Sequence, residues 1–574
     1  MIARIRLASV ERAPFAAALI GGGPVLAGMS SRVPWWVGVV VVTGLLASMT
    51  LRVNDRTVAG WLYGWAEYRF GRSARARALL EPADIYEVEV AAGTCGIRMA
   101  GTTLVAMVQL APDLDLPTVI AETTVYTEDT VAVRALLPML DQYGVSVDID
   151  IVTTGQRVRS TGSYSMLYDQ LVGSHPVVGN RLTWLVIRLD QERNLAALTR
   201  RGPCAAVAPK ALATAAHRIA GRMRERGIAA QTLPSAAMRE AIRLLHAGVE
   251  LSEVRERWGR VEAAPGRDMT SFLVDWDRLG GTALDDCWTW NRGHTTLVLG
   301  MTDVQQGPRA LVRFVGPALT GALPDYLRRL PGQQVVALRA SLPTETSLRA
   351  APLMPSGTNS APDELLADLA VPIGPNGQIL GSISGQPRHT LALALFDSAR
   401  YHPRRRKVDV QAKLPVAQQI VLRAMAVGAD VEVHSTRPQR WHQLVAAVGD
   451  EGSLRLAGDE KTDRTGPEAI ARPATIAVFD QMPARASAAP TTVTISEPGD
   501  GSQRRTADLQ IRQVSATAVE VSIPMRTLRV DLIEPRGEMR YVSESGDPTA
   551  HPASPLTSLP AVTIPGIDGF GSER

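Results

Sequence analysis

The sequence predicts a membrane-anchored α/β fold: two N-terminal transmembrane helices, then an α/β region, then a β-rich C-terminal part. Three observations lead to this fold class. Two uncharged runs lie next to each other near the start of the 574-residue chain. Residues 85–480 alternate between strand-like and helix-like patterns, whereas residues 488–543 show only strand-like patterns separated by turns.

The stronger uncharged run covers residues 33–51, VPWWVGVVVVTGLLASMTL. A buried strand is excluded because apolar strand runs usually end after about four to eight residues. As a helix with a rise of about 1.5 Å per residue, the run would measure roughly 28 Å, close to the thickness of the bilayer hydrocarbon. Pro34 falls in the first turn, where a missing N–H is tolerated. The sequence therefore predicts a transmembrane helix here.

The weaker uncharged run covers residues 13–31 and is interrupted by three glycines and a proline at 21–24. The alternative is a secretory signal peptide, since three arginines precede a short apolar core. However, no convincing A-x-A cleavage pattern ends the run, and the second run follows almost at once. We therefore predict a two-helix transmembrane hairpin over residues 1–52.

The distribution of arginine predicts the orientation of this hairpin. Arginines precede the first span and follow the second, while the connecting loop holds only Arg32. The positive-inside rule then places both termini, and the bulk of the chain, on the cytosolic side of the inner (plasma) membrane. We expect a multi-pass membrane protein.

A neck at residues 53–84 is rich in arginine and aromatic residues. Such residues are typical of a segment at the level of the lipid headgroups, although the aromatic side chains could instead belong to the core of the next domain. The predicted membrane-interface residues are Arg52, Arg56, Trp61, Tyr63, Trp65, Arg69 and Arg72.

Four further segments follow the neck. We predict a first α/β unit at 85–305, a second at 306–485, a β-rich segment at 486–543 and a flexible tail at 544–574. The expected helices lie at 128–144, 209–227, 235–247 and 318–330, and further strands include 334–342 and MRYVS at 539–543. The clearest pattern is a βαβα unit at 407–449, and 342–366 is expected to be a surface loop.

Two D-x-D triplets are the candidate catalytic or metal-binding residues, Asp148 with Asp150 and Asp275 with Asp277. Paired carboxylates can hold a divalent cation against a sugar-nucleotide diphosphate. The alternative is structural: Asp148 and Asp150 would share the solvent face of an alternating strand, and the second pair would mark an exposed strand end. The structural interpretation is favoured, so no catalytic, cofactor-binding or metal-binding residue is predicted.

Other short patterns favour structural roles. The glycine-rich stretch at 374–385 lacks a Walker lysine and is expected to be a turn between strands. The segment 434–442, HSTRPQRWH, is expected to be a strand end feeding a helix capped by Ser435 or Thr436, rather than a recognition loop. HPRRRKVDV at 402–410 is expected to be solvated, with anionic lipid or an acidic partner as the alternative. Three distant cysteines and a net charge of +4 predict neither disulfides nor nucleic-acid binding.

The arrangement resembles EccE, the membrane component of the actinobacterial type VII (ESX) secretion system. The resemblance covers roughly residues 10–480 and rests on the two spans, on WLYGWAEYRFGR at 61–72, on TWLVIRLDQERNLAALTRRG at 183–202, and on AQQIVLRAMAVGADVEVHSTRPQRW at 417–441. It implies a non-enzymatic subunit that assembles with EccB, the ATPase EccC and EccD. It also implies a glycosyltransferase-like cytosolic fold without the activity, and no cofactor.

Two hypotheses about function therefore stand side by side. The favoured one is a structural subunit of an ESX membrane complex, which meets the bilayer and neighbouring subunits but neither nucleic acid nor a small-molecule substrate. The alternative is a membrane-anchored, metal-dependent glycosyltransferase that uses the D-x-D residues.

Overall fold

The computed structural model describes residues 5–7, 51–53, 56–80, 84–122, 124–279, 284–289, 293–302, 307–319, 323–353, 363–458, 473–499 and 507–542. Apart from Leu51, which lies in a strand, the two predicted transmembrane spans fall outside these residues. Within these ranges, no helix combines the length and the apolar character needed to cross a bilayer.

The strands up to residue 330 are β1 (Ile5–Leu7), β2 (Leu51–Val53), β3 (Arg56–Thr57), β4 (Ile85–Val90), β5 (Gly93–Ala100), β6 (Thr103–Leu110), β7 (Thr118–Ile120), β8 (Val125–Tyr126), β9 (Thr130–Ala132), β10 (Asp141–Gln142), β11 (Val145–Ser146), β12 (Asp148–Gln156), β13 (Asn180–Asp190), β14 (Ala230–Thr232), β15 (Arg255–Glu256), β16 (Val261–Ala264), β17 (Arg267–Val274), β18 (His294–Met301), β19 (Arg309–Gly316) and β20 (Leu327–Arg329).

The later strands are β21 (Ala370–Pro372), β22 (Gln378–Ile383), β23 (Gln386–Leu393), β24 (Arg406–Gln411), β25 (Val431–Ser435), β26 (Leu454–Leu456), β27 (Ile476–Asp480), β28 (Thr491–Ser496), β29 (Leu509–Gln513), β30 (Ala518–Ile523) and β31 (Arg526–Leu532). The helices are α1 (Val58–Leu80), α2 (Ser163–Val172), α3 (Leu195–Thr199), α4 (Cys204–Glu225), α5 (Ser235–Leu245), α6 (Trp276–Leu279), α7 (Gln334–Ala340), α8 (Asp363–Asp368), α9 (Leu414–Ala426), α10 (Pro438–Val448) and α11 (Met539–Val542).

The first large sheet is antiparallel throughout. Its main path runs β15-β16-β17-β19-β18-β12-β13-β6-β5-β4, with β14 paired to β6 and β20 paired to β17. The α/β alternation of the sequence is real here, but it does not produce parallel strands. The helix between β12 and β13, α2, packs in the core of the second sheet, and β13 returns beside β12 in the opposite direction.

The second large sheet is mixed. Strands β26-β25-β27-β28-β24-β29 are parallel, and β30-β31-β22-β23-β7-β8 continue the sheet with antiparallel pairs. Strands β7 and β8 belong to the second sheet although they come from the first part of the chain. The first part of the chain therefore contributes strands to both large sheets. Strands from the predicted β-rich segment at 486–543 extend the same sheet as β24, β25 and β27.

Both faces of the first sheet are covered. On one face, α4 packs through Leu212, Ala216 and Ile219 against residues such as Ile151 and Ile187. On the other face, α5 and α7 cover a cluster around Trp184, Val186 and Val152, which belongs to the same strands. The central strands β6, β12 and β13 are therefore buried along almost their whole length, not on one side alone.

The predicted helix at 128–144 is wrong. The segment forms β9, two 3₁₀ turns at Val133–Ala135 and Leu137–Met139, and the hairpin of β10 and β11. Pro138 explains the difference, because an internal proline removes a backbone donor and clashes with the preceding turn. The prediction rested on the helical spacing of Val131, Leu136, Leu140 and Tyr143, of which the first three are buried in the core and Tyr143 is exposed.

Three later predictions also differ from the structure. Residues 334–340 form α7 instead of a strand, since Gln334 is held by hydrogen bonds to both Ser271 N (2.9 Å) and Ser271 O (3.2 Å). The expected helix at 318–330 contains strand β20, which pairs with β17. MRYVS, expected to be a strand, contains the short helix α11.

The clearest predictions are confirmed. The helices expected at 209–227 and 235–247 correspond to α4 and α5, although Pro209 lies inside α4 and not at its start. The βαβα unit at 407–449 corresponds to β24, α9, β25 and α10. Its two strands are parallel as predicted, but β27 and β28 lie between them in the sheet.

Candidate membrane-proximal docking surface

Helix α1 follows the predicted membrane hairpin and packs on the first sheet with one of its faces. Its half-buried residues recur at intervals of three and four, the spacing of a single helical face, at Gly60, Trp61, Gly64, Ala66, Tyr68, Gly71, Arg75, Ala78 and Leu79. Apart from Gly60 and Ala66, these positions form one stripe along the helix. Residues 58–80 of the neck thus form a helix that is fixed to the folded body.

Trp258 is the central contact for this face. Its ring lies 6.1 Å from that of Trp61, and 5.1 Å from that of Tyr68 in an edge-to-face arrangement. Such aromatic pairs contribute about 0.5–1.5 kcal/mol beyond the area that they bury. Behind Trp258, Gly332 N donates a 2.6 Å hydrogen bond to Trp258 O. Trp258 is therefore clamped between α1 and the turn that precedes α7.

An ion pair fixes the same face about two turns further on. Nε and Nη2 of Arg75 lie 3.0 and 2.9 Å from Oε2 of Glu256, and the Glu256 side chain is 4% exposed. Burial raises the pKa of Glu256, and Arg75 opposes that shift. Because the carboxylate is removed from water, its charge depends on the guanidinium of Arg75.

The rest of α1 is exposed and carries large apolar side chains. We call the exposed residues Leu62, Trp65, Arg69 and Arg72 the outer stripe, since their spacing of three and four places them along one side of the helix. Tyr63 and Phe70 form a second exposed row, with 64% and 78% of their surface accessible. A monomeric soluble protein seldom leaves aromatic side chains grouped in this way without a partner.

The predicted membrane-interface residues are therefore divided between two environments. Trp61 lies on the docked face, as the domain-core alternative expects for the aromatic residues. The other α1 members of the set, Tyr63, Trp65, Arg69 and Arg72, are exposed. The backbones of Arg52 and Arg56 lie in β2 and β3.

The first D-x-D pair is buried and ion-paired, so the expectation of a solvent-facing pair is wrong. Asp150 is fully buried and pairs with Arg188 of the neighbouring strand, while Oδ1 of Asp148 lies 2.8 Å from Nη1 of Arg193 in a second ion pair. Burial raises the pKa of Asp150, and the Arg188 guanidinium opposes it. The alternating pattern predicted one solvent-facing side for β12. This is wrong because β12 lies in the centre of a sheet that is covered on both faces.

This ion pair holds a segment that we call the buried strap, residues 342–353. Arg188 donates to Thr344 O (2.7 Å) and Leu342 O (3.0 Å), and the same Asp150 carboxylate accepts from Leu348 N (3.3 Å). At the other end, Arg309 donates to Leu353 O (2.7 Å). The expectation of a surface loop is therefore wrong for this part of 342–366, because arginines satisfy its backbone carbonyls inside the body.

The second D-x-D pair is split. Asp275 is buried, and its Oδ2 lies 2.8 Å from Arg328 Nε and 3.3 Å from Arg278 Nε, whereas Asp277 is exposed on α6. Among the described residues, no group of three or more His, Cys, Asp or Glu side chains is arranged to hold a metal ion. The three buried aspartates, Asp148, Asp150 and Asp275, serve as partners for arginines.

The remaining short patterns also have structural roles. Arg404 pairs with Asp113 (2.9 Å) and Asp115 (2.7 Å), and the buried Arg406 pairs with Asp115 (2.9 Å), so the run at 402–410 anchors an acidic turn. Helix α10 begins after Arg437 without a side-chain cap, so capping by Ser435 or Thr436 is wrong. Ser435 Oγ instead donates to Asp480 and accepts from Arg437 N.

Sequence reasoning missed Trp258 and Glu256, the two residues that receive α1. Neither belongs to a periodic pattern, since they lie in short strand and turn segments around β15. The one available signal was a large aromatic residue within a polar stretch, RERWGR at 255–260.

Comparisons with known proteins match the region that receives α1. The family model described as type VII ESX secretion system translocon, EccE, matches residues 177–274, which include Trp258 and Glu256. The match covers β13, α4, α5 and the strands up to β17.

Several curated relatives carry the same family name. The ESX-1 secretion system protein EccE1 of Mycobacterium tuberculosis is 27% identical over 315 residues, which is 50% of this chain and 63% of the relative. The ESX-2 protein EccE2 of the same species is 26% identical over 476 residues, 78% of this chain and 82% of the relative. The ESX-5 protein EccE5 of Mycobacterium marinum is 28% identical over 336 residues, 55% and 81% of the two chains.

This chain therefore spans less than two thirds of the ESX-1 relative but most of the ESX-2 and ESX-5 relatives. Three ESX systems are represented among these matches. The family match and the relatives together confirm the resemblance that the sequence predicts, to EccE, a component of type VII secretion systems.

Proposed function

We propose that this protein is a non-enzymatic structural subunit of an ESX secretion complex in the inner membrane. The observation that carries the proposal is the arrangement of α1, which is fixed to the body by one face and exposes aromatic and basic residues on the others. The similarity to EccE proteins of ESX systems supports the same function. The buried, arginine-paired aspartates support a structural role for the D-x-D residues.

The proposed topology has a transmembrane hairpin with both termini on the cytosolic side. Strand β1 pairs with β2 in antiparallel register, Ile5 opposite Val53, so residues 5–7 and residues 51–53 lie side by side. This pairing supports a segment that leaves and returns on one side of the bilayer. The outer stripe, with Trp65, Arg69 and Arg72, would then meet the headgroups, where tryptophan and arginine are favoured.

The proposed partners are EccB-, EccC- and EccD-like subunits of the same complex. The exposed row of Tyr63 and Phe70 suits a protein contact, because buried aromatic anchors dominate the energy of such interfaces. The glycosyltransferase-like fold implied by the resemblance stays a prediction.

Affinity purification in mild detergent tests this function. The tagged full chain is expected to bring its partner subunits with it, and Y63S/F70S should reduce their recovery about tenfold, since two aromatic anchors are lost. The matched control, Y126S/M525S, removes two equally exposed side chains from the second sheet and should change nothing. Recovery of the wild-type chain alone, as a stable monomer, would overturn the proposal.

A further inference from the structure

A cavity of about 420 Å³ lies between the C-terminal end of α1, strand β5 and helices α5 and α7. One wall is apolar, with Leu79, Ile85 and Met99 among its residues. The other wall is formed by polar side chains, Arg98, His246, Arg339 and Glu345. We call this cavity the Arg98 pocket. The family resemblance and the proposed function give it no role.

The charges around the Arg98 pocket do not balance. Arg339 pairs with Glu345, and the nearby Arg188 is neutralised by Asp150. Within the described part of the chain, Arg98 has no carboxylate partner. Its guanidinium donates one hydrogen bond, from Nη1 to Pro343 O at 3.0 Å, and its buried Nε has no acceptor. A guanidinium has five N–H donors, so most of those of Arg98 are unused.

The surroundings of Arg98 disfavour its charge. Burial and the guanidiniums of Arg188 and Arg339 lower the pKa of Arg98. Burial, together with Arg313 and Arg98, lowers the pKa of His246 to about 4, so this imidazole is neutral at pH 7. An unpaired charge in a partly dry site is costly unless an ion of opposite sign neutralises it.

We propose that the Arg98 pocket binds a phosphate group, with the apolar wall receiving an attached hydrocarbon portion. A phosphate oxygen can accept from the unused donors of Arg98, because guanidinium and phosphate match in geometry and charge. The phosphate can come from two sources, an anionic lipid headgroup or a soluble phosphorylated molecule. The pocket adjoins α1, the helix that follows the predicted membrane hairpin. A lipid headgroup could therefore reach it from the bilayer, and a soluble phosphorylated molecule could reach it from the cytosol.

The test uses the full chain in phosphatidylcholine nanodiscs, titrated with inorganic phosphate and, separately, with dihexanoyl phosphatidic acid below its micellar concentration. We expect saturable binding that R98Q weakens about tenfold or more, since a charged hydrogen-bonded contact is lost. The matched control, R388Q, removes an exposed arginine that pairs with Glu122 and should bind as the wild type does. Tighter binding of the phosphatidic acid shows that the apolar wall receives a hydrocarbon portion and assigns a lipid headgroup. Equal binding of the two probes overturns the role of the apolar wall and assigns a soluble phosphate.

A second variant covers the case in which R98Q does not fold. E345Q removes the negative charge that faces the pocket, so phosphate should bind about threefold tighter or better by the Coulomb term alone. The proposal is overturned if neither probe binds saturably, if R98Q binds as well as wild type, or if E345Q fails to strengthen binding.

Discussion

Arg75 and Glu256 form the ion pair that fixes helix α1 to the folded body, with two guanidinium nitrogens at 3.0 and 2.9 Å from one carboxylate oxygen. The variant R75A leaves the buried Glu256 carboxylate without its ion-pair partner, with only a long hydrogen bond from Val335 N (3.4 Å) remaining. We expect the free energy of unfolding to fall by about 2–3 kcal/mol, most of it as local release of α1. Hydrogen exchange across residues 58–80 should rise sharply.

The control for this prediction is R69A, which removes an exposed arginine from the same helix. Exchange in α1 should be the same in R69A as in the wild type. Equal protection of α1 in R75A and R69A would show that the ion pair does not hold the helix.

Gly332 supports the Trp258 clamp from behind. It has φ of +74°, and a Cβ atom there would lie 2.6 Å from Cζ3 of Trp258. G332A therefore combines backbone strain of about 1–3 kcal/mol with a clash against the ring that receives α1. G385A has a similar φ of +81° but open space around it, so it measures the strain alone. We expect a larger loss of thermal stability in G332A than in G385A. Equal losses would contradict the steric argument.

Asp150 separates the structural from the catalytic interpretation of the D-x-D residues. D150A leaves Arg188 buried without its countercharge and should destabilise the protein by about 3–5 kcal/mol, as expected for a broken buried ion pair. D277A alters an exposed residue and should change stability by less than about 0.5 kcal/mol. Thermal unfolding of the two variants measures both effects. An unchanged melting temperature in D150A would argue against the buried strap being held by this pair.

Acid should weaken the first sheet through two histidines. Burial, with help from Arg313, lowers the pKa of His246 to about 4 and of His294 to about 3, both below the unfolded value near 6.5. Both are therefore neutral in the fold, and their contribution to stability is present above pH 6.5 and lost as the pH falls toward 4 and 3. The melting temperature should drop between pH 6.5 and 4.

The double variant H246Q/H294Q is the control for this pH dependence. Glutamine keeps a polar side chain but does not titrate, so the melting temperature of the double variant should vary less over the same pH interval. A slope as steep as that of the wild type would show that carboxyl groups elsewhere cause the acid sensitivity.

The sequence was most informative where local signals agree. In the βαβα unit, apolar alternation marks β24 and β25, and Gly428, with φ of +114°, follows the end of the intervening helix. Helix α4 was equally clear because its small and apolar residues recur with helical spacing. These elements depend on residues that are near one another in the chain.

The rest depends on contacts between distant segments. The antiparallel order of the first sheet follows from pairings such as Asp150 with Val186 and with Gly300, which no local pattern shows. The docked face of α1 depends on Trp258, almost two hundred residues away along the chain. The polar composition of the buried strap predicted exposure to solvent. The arginines that bind its carbonyl groups, Arg188 and Arg309, lie in distant strands, so the sequence of the strap does not reveal them.

Strand β7 lies in the second sheet although it precedes most of the first, and Ile120 pairs there with Thr390. During synthesis, the early strand must wait until the late one has left the ribosome. Expression of the two predicted units as separate fragments, cut at residue 305, would leave each fragment with an unfilled place in a sheet. The second sheet can therefore be completed only after the ribosome has synthesised both the early and the late strands.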